Sequence, residues 1–194
     1  LDVSSVATGA QQRANNIYAE ATFVCPSYWL NSAFTTQERT SYHYQYSVPV
    51  ALHASDLSAY FGPATPNQPP AFTSVFRQIW GGFVEAAKPT GELWLGNLTW
   101  PAWVDDGESR MLNLNTTAAF QRGLVAGGNG TATGGNGTGT DVDGAETGFG
   151  DPGLGDPGVD ENMNDLSVVD ALAWEGGRGA RCEFWRGIAS RVPI

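Results

Sequence analysis

Lysine is almost missing from this chain. Lys88 is the single example, and only ten cationic side chains exist in all, against twenty Asp and Glu, for a formal net charge of -10. A surface of that sign repels phosphate backbones and anionic lipid heads, so nucleic acid and membrane surfaces are not expected as partners. Long apolar runs are lacking too. No stretch reaches the roughly eighteen consecutive apolar residues that a bilayer-spanning helix requires, so stable membrane insertion is not expected. The chain starts at Leu1 without a basic segment leading into an apolar one. The expectation is a leader already removed, or a sequence that begins partway into a gene product. Cysteine and histidine are scarce: Cys25, Cys182, His43 and His53 are the whole set. The two cysteines stand too far apart for a CxxC redox or zinc motif. By count alone they are buried free thiols or a long-range disulfide.

What the chain does have is apolar and aromatic content, at 41% and 11%, which suffices for one core in 194 residues. It also has four N-x-[ST] sequons, at Asn97, Asn115, Asn129 and Asn136. Four glycosylation acceptors favour a secreted protein, where a disulfide is the expected state of distant cysteines.

Periodicity places the elements. Ile17, Ala21, Val24 and Cys25 share one helical face in a segment running to about Phe34, with Pro26 ending that helix or starting another. Between Ser41 and Val50, Tyr42, Tyr44, Tyr46 and Val48 alternate with polar residues, which predicts a half-buried strand stopped by Pro49. His43 falls on the opposite face, as a solvent-facing or hydrogen-bonded strand residue. His53 falls on the loop that follows. Phe72, Val75, Phe76, Ile79, Trp80, Phe83 and Val84 form a wide apolar stripe, which predicts a helix from Phe72 to about Ala87 packed on a core. Gly81-Gly82 weakens that helix unless another element packs closely there. Met111 to Asn115 reads as a short strand, and Ala180 to Ala189 as a closing amphipathic helix. Residues 123–159 read as a flexible loop, because Gly123 to Gly158 holds 14 of the 25 glycines and little that could be buried. Asp141-Val142-Asp143-Gly144 opens like a calcium loop, but the later ligands miss EF-hand spacing, so no metal is assigned.

The stretch Tyr42 to Leu57, with His53-Ala54-Ser55-Asp56 at its end, resembles the catalytic-histidine segment of type-B carboxylesterases of the cholinesterase-like family, fungal members most closely. Phe23-Val24-Cys25-Pro26 is similar to the segment before that strand. Gln78 to Phe83, Leu98 to Trp103 with Met111 to Leu114, and Arg181-Cys182-Glu183-Phe184-Trp185 are similar to later segments, in the same order. The resemblance implies an α/β fold: the C-terminal portion of a single α/β-hydrolase domain over 1–194, its last sheet strands with their packing helices, and the glycine-rich loop as an insertion. It implies His53 as the general base, Asp56 as the acidic residue three positions later, a Cys25–Cys182 disulfide, no cofactor, and a small-molecule or lipid ester as substrate. Three residues along a turn rarely aim a carboxylate at the ring's outer nitrogen, so Asp56 reads as a supporting or helix-capping residue rather than the triad acid.

Three departures bear on this. Ala54 stands where the family usually has glycine. The glycine-rich segment matches no part of the family core. No G-x-S-x-G nucleophile elbow occurs, and Gly107-Glu108-Ser109-Arg110-Met111, which begins like one, follows the histidine and reads as a surface turn. The nucleophile and triad acid are therefore expected on a preceding part of the domain. Alone, this segment is expected to be inactive and poorly soluble. The alternative is a cholinesterase-like extracellular binding protein that has lost catalysis.

Overall fold

A computed structural model describes residues 7–35, 39–49, 51–89, 98–105, 107–127 and 164–191. These residues form a mixed α/β arrangement around a three-stranded sheet in the order β1-β2-β3. β1 (Tyr44–Tyr46) runs parallel to β2 (Arg110–Thr116), which pairs antiparallel with β3 (Asn164–Asp170). Two parallel neighbours need a crossover, and it contains α3 (Leu57–Phe61) and α4 (Pro70–Ala86).

The strand alternation in the sequence decides which face each helix covers. Tyr42, Tyr44 and Tyr46 pack on the same side as Leu112 and Leu114, against Phe72, Phe76 and Ile79 of α4. Met111 points the other way, to Cys25 and Tyr28 of α2 (Cys25–Phe34) and Cys182 of α6 (Trp174–Ile188). The sheet is thus covered by α4 on one face and by α2 with α6 on the other. β2 is the central strand and is buried almost throughout. Its polar Asn113 is tolerated there because it accepts from the Ser47 hydroxyl at 2.6 Å and donates to Ser167 Oγ at 3.4 Å.

The first helix is continuous where a break at Pro26 was one alternative. α1 (Ala10–Ala19) passes through one π turn, Glu20–Val24, into α2, with Pro26 in the first turn of α2. The i→i+5 turn ends just before the proline, so the missing N–H falls where the ladder is already interrupted. The Cys25–Cys182 disulfide is present, with Cα atoms 5.1 Å apart and a sequence separation of 157. Beside it, Arg181 Nε donates to Glu20 at 2.7 Å and joins α6 to the π turn.

Several sequence expectations need correction. β1 is shorter than 41–50, because Tyr42 bridges Ala102 rather than the sheet. α4 begins at Pro70, two residues early. Its stripe ends before Val84, which is 82% exposed. A Cβ at Gly81 would meet nothing within 4 Å, so no close packing explains that glycine. α5 (Ala118–Gly127) carries helix into the first residues assigned to the glycine-rich loop, and the rest of that loop, from 128 to 159, lies outside the described residues. β3 went unread, its Asn-Asp-Leu-Ser-Val-Val-Asp pattern being only half apolar. α6 starts at Trp174, although Glu175, Gly176 and Gly177 have left-handed angles inside it. Ser109 is not on a surface turn. It is 2% exposed, and its carbonyl accepts from Ala171 N–H at the end of β3.

Candidate functional site

His53 sits in a tight turn beyond the carboxyl end of β1. The Ser55 N–H donates to the Leu52 carbonyl at 3.0 Å and closes the turn, while the Leu52 N–H donates to Ser55 Oγ at 3.0 Å. His53 and Ala54 are its two central residues. Ala54 has φ 67°, the left-handed value that the third position of a type II turn demands and that glycine meets without strain. The departure from glycine seen in the sequence therefore falls at a position where a Cβ is costly.

The His53 imidazole is exposed and stacks on Phe23, with ring centroids 4.7 Å apart and planes at 22°. Phe23 belongs to the π turn and makes a T-shaped contact with Tyr18, ring centroids 5.8 Å apart. The sequence pattern showed Phe23 beside Cys25 but not its contact with His53, since a ring–ring contact between a helix and a turn leaves no periodic trace.

Asp56 lies three residues on, at the start of α3, and no hydrogen bond or ion pair joins it to His53 among the described residues. It does not cap the helix with its side chain either. Its carboxylate instead accepts from the Tyr44 hydroxyl at 2.8 Å, and Tyr44 and Tyr60 hydroxyls lie 2.6 Å apart. Burial, followed by the Tyr60 and Asp56 oxygens, pushes the Tyr44 hydroxyl well above the usual phenol range. Burial pushes Tyr60 up to about 12. Both phenols therefore stay protonated and act as fixed donors beneath the turn.

Gln68, which nothing in the sequence singled out, is buried at 3% exposure and touches the same turn. Its amide reaches the Ser55 carbonyl at 3.0 Å and the Tyr46 hydroxyl at 2.7 Å.

His43 is placed differently from one of its two expectations. It is not solvent-facing. Its ring is packed edge-on against Tyr28 and Trp103, and its Nδ1 is 2.5 Å from Asn31 Nδ2, so the hydrogen-bonded alternative holds. Burial, with a smaller contribution from the Arg178 charge, holds it down to about 4. The imidazole is thus held neutral between α2 and the sheet, with its Nδ1 already engaged by Asn31.

Of the glycosylation candidates, Asn115 lies in β2, its side-chain oxygen accepting from the Thr116 N–H at 2.9 Å and from Gln121 at 3.3 Å. Asn97, Asn129 and Asn136 lie outside the described residues. Among the described residues no group of three or more His, Cys, Asp and Glu side chains is placed to hold a metal ion. No family model, curated protein or solved structure matches the chain.

Proposed function

We propose that this chain is the C-terminal part of a secreted serine carboxylic-ester hydrolase and that His53 is its general base. The observation that supports this most is the position of His53: exposed, on a tight turn beyond the carboxyl end of a strand whose neighbour is parallel. In open α/β sheets that is the side on which substrates are bound. An imidazole in such a place takes a proton from a nucleophilic hydroxyl and returns it to the leaving alcohol. The five ordered segments that resemble type-B carboxylesterases support the same reading, and so does the disulfide, which suits an oxidising compartment.

The serine, the acid that orients the imidazole and the oxyanion donors belong, in this proposal, to a preceding part of the same domain. Asp56 supports the turn through Tyr44 rather than serving as the triad acid. The substrate is a small-molecule or lipid ester, and no cofactor takes part.

The test is ester hydrolysis by the native protein carrying this chain, compared with His53→Ala. The variant should lose roughly 10⁴- to 10⁶-fold in kcat while keeping its fold. Equal rates for the two proteins would remove His53 from the mechanism.

A further inference from the structure

The histidine turn contains a conformation that its own residues do not favour. Ala54 at φ 67° costs on the order of 1–2 kcal/mol relative to a right-handed residue, so local preference alone would let the turn drift. Something outside the turn must hold it, and Gln68 is built to do so.

Every hydrogen-bonding capacity of the Gln68 amide is used. The Nε2 group donates to the Tyr46 hydroxyl at 2.7 Å and to the Ser55 carbonyl at 3.0 Å. The Oε1 atom accepts from the Ser58 hydroxyl at 2.8 Å and from the Thr65 N–H at 3.1 Å. Two donors and two lone pairs exhaust a carboxamide. The four partners come from the end of β1, the histidine turn, the first turn of α3 and the loop before α4. Ser55 is the residue whose N–H closes the turn around His53, so its carbonyl is the handle by which the turn is fixed to the sheet.

We propose that Gln68 is a positioning residue for His53, setting the height and tilt of the imidazole above the carboxyl end of β1 through Ser55. The proposal rests on the reading of His53 as the base. Removing the Gln68 donor takes away the shorter of two side-chain hydrogen bonds to the Ser55 carbonyl, the other coming from the Ser58 hydroxyl at 3.2 Å, and loosens a strained turn. A displacement of about 1 Å in a proton-transferring group costs roughly 100-fold in rate.

The experiment uses the native protein carrying this chain and two variants. Gln68→Met keeps the length of the side chain and removes all four bonds. Gln68→Glu keeps acceptor oxygens for Ser58 and Thr65 but offers the Ser55 carbonyl a donor only while the introduced carboxyl is protonated. Two readouts are taken: kcat and KM across pH for hydrolysis of a p-nitrophenyl ester, and the ring signals of the histidines in ¹H–¹³C spectra. The expected result for Gln68→Met is a 10- to 100-fold lower kcat with KM within twofold, a broadened or split His53 signal, and an unchanged His43 signal. For Gln68→Glu the expected result is an additional loss of kcat as pH rises, which the parent protein lacks. A Gln68→Met protein whose His43 signal also collapses has lost its fold, and the Gln68→Glu pH profile then decides. Normal kcat and an unaltered His53 signal in the folded variants would overturn the proposal. If the parent protein hydrolyses no ester, the reading of His53 as a base fails. The His53 signal then still reports whether Gln68 fixes the turn.

Discussion

Two residues carry a cost that can be measured singly. At Ala54 the methyl group sits on a backbone with φ 67°, so Ala54→Gly should raise stability by about 0.5–1 kcal/mol, once the greater freedom of glycine in the unfolded chain is set against the relieved strain. Chemical denaturation checks it, and a loss of stability would show that the turn is not strained. At His43 the sign of the effect is fixed by its depressed value of about 4 against 6.5 for an exposed imidazole. Above pH ~6.5 both states are neutral and the folded protein has its full stability. As pH falls toward about 4, the unfolded chain takes up a proton that the folded one refuses, and stability declines. Between pH 7 and pH 5 this one group should cost about 2 kcal/mol, and His43→Gln should remove that part of the pH dependence. Neither feature was fully legible in the sequence. The glycine position could be seen by resemblance, but the burial of His43 depended on Trp103 and Tyr28, which come from distant segments.

At the scale of elements, the approach of α6 to the end of β3 rests on a missing side chain. A Cβ on Gly179 would lie 2.9 Å from Leu172 Cβ and 3.1 Å from its Cα, and the Gly179 N–H donates to the Leu172 carbonyl at 2.9 Å. Gly179→Ala should therefore destabilise by roughly 1–3 kcal/mol, through displacement of backbone rather than of a flexible tip. Thermal unfolding of the variant checks it. The elements with one strong period were the readable ones: α4 from its apolar stripe and β1 from its alternation, with β2 read as a short strand over Met111 to Asn115. β3 and α5 were not, because one mixes Asn, Asp and Ser into a half-covered strand and the other is short and stands against a glycine-rich stretch. The π turn at Glu20–Val24 left only a spacing of apolar residues compatible with any helix.

Across the whole molecule, the disulfide and the exposed apolar surface pull in opposite directions. Cys25–Cys182 closes a loop of 157 residues, which in the chain-entropy model stabilises by about 4–5 kcal/mol. Cys182→Ala with Cys25→Ala should lower the unfolding free energy by about that much, read by urea titration. Meanwhile Tyr18, Leu30, Leu52, Phe61 and Phe184 are each more than half exposed, at 64%, 59%, 70%, 84% and 59%. So much apolar surface on one chain suits a segment that packs against more of a larger domain, and the 194 residues expressed alone should self-associate, as light scattering would record. Among the described residues no helix is long and apolar enough to cross a membrane, so a bilayer-spanning helix does not account for that surface. The mixed α/β architecture was expected from the resemblance, while the periods by themselves showed only single helices and strands. Of the candidate site, the sequence singled out His53 and not its contacts, because Phe23 and Gln68 reach that turn by contacts between elements rather than by any local pattern.

The most direct measurement is labelling of the native protein with a fluorophosphonate, which reacts with a serine activated by an adjacent general base, compared with the same labelling of His53→Ala. The account predicts one probe per chain, on a serine within a G-x-S-x-G preceding Leu1, and loss of labelling in His53→Ala. Absence of labelling in the folded native protein, or labelling that persists unchanged without His53, would contradict it.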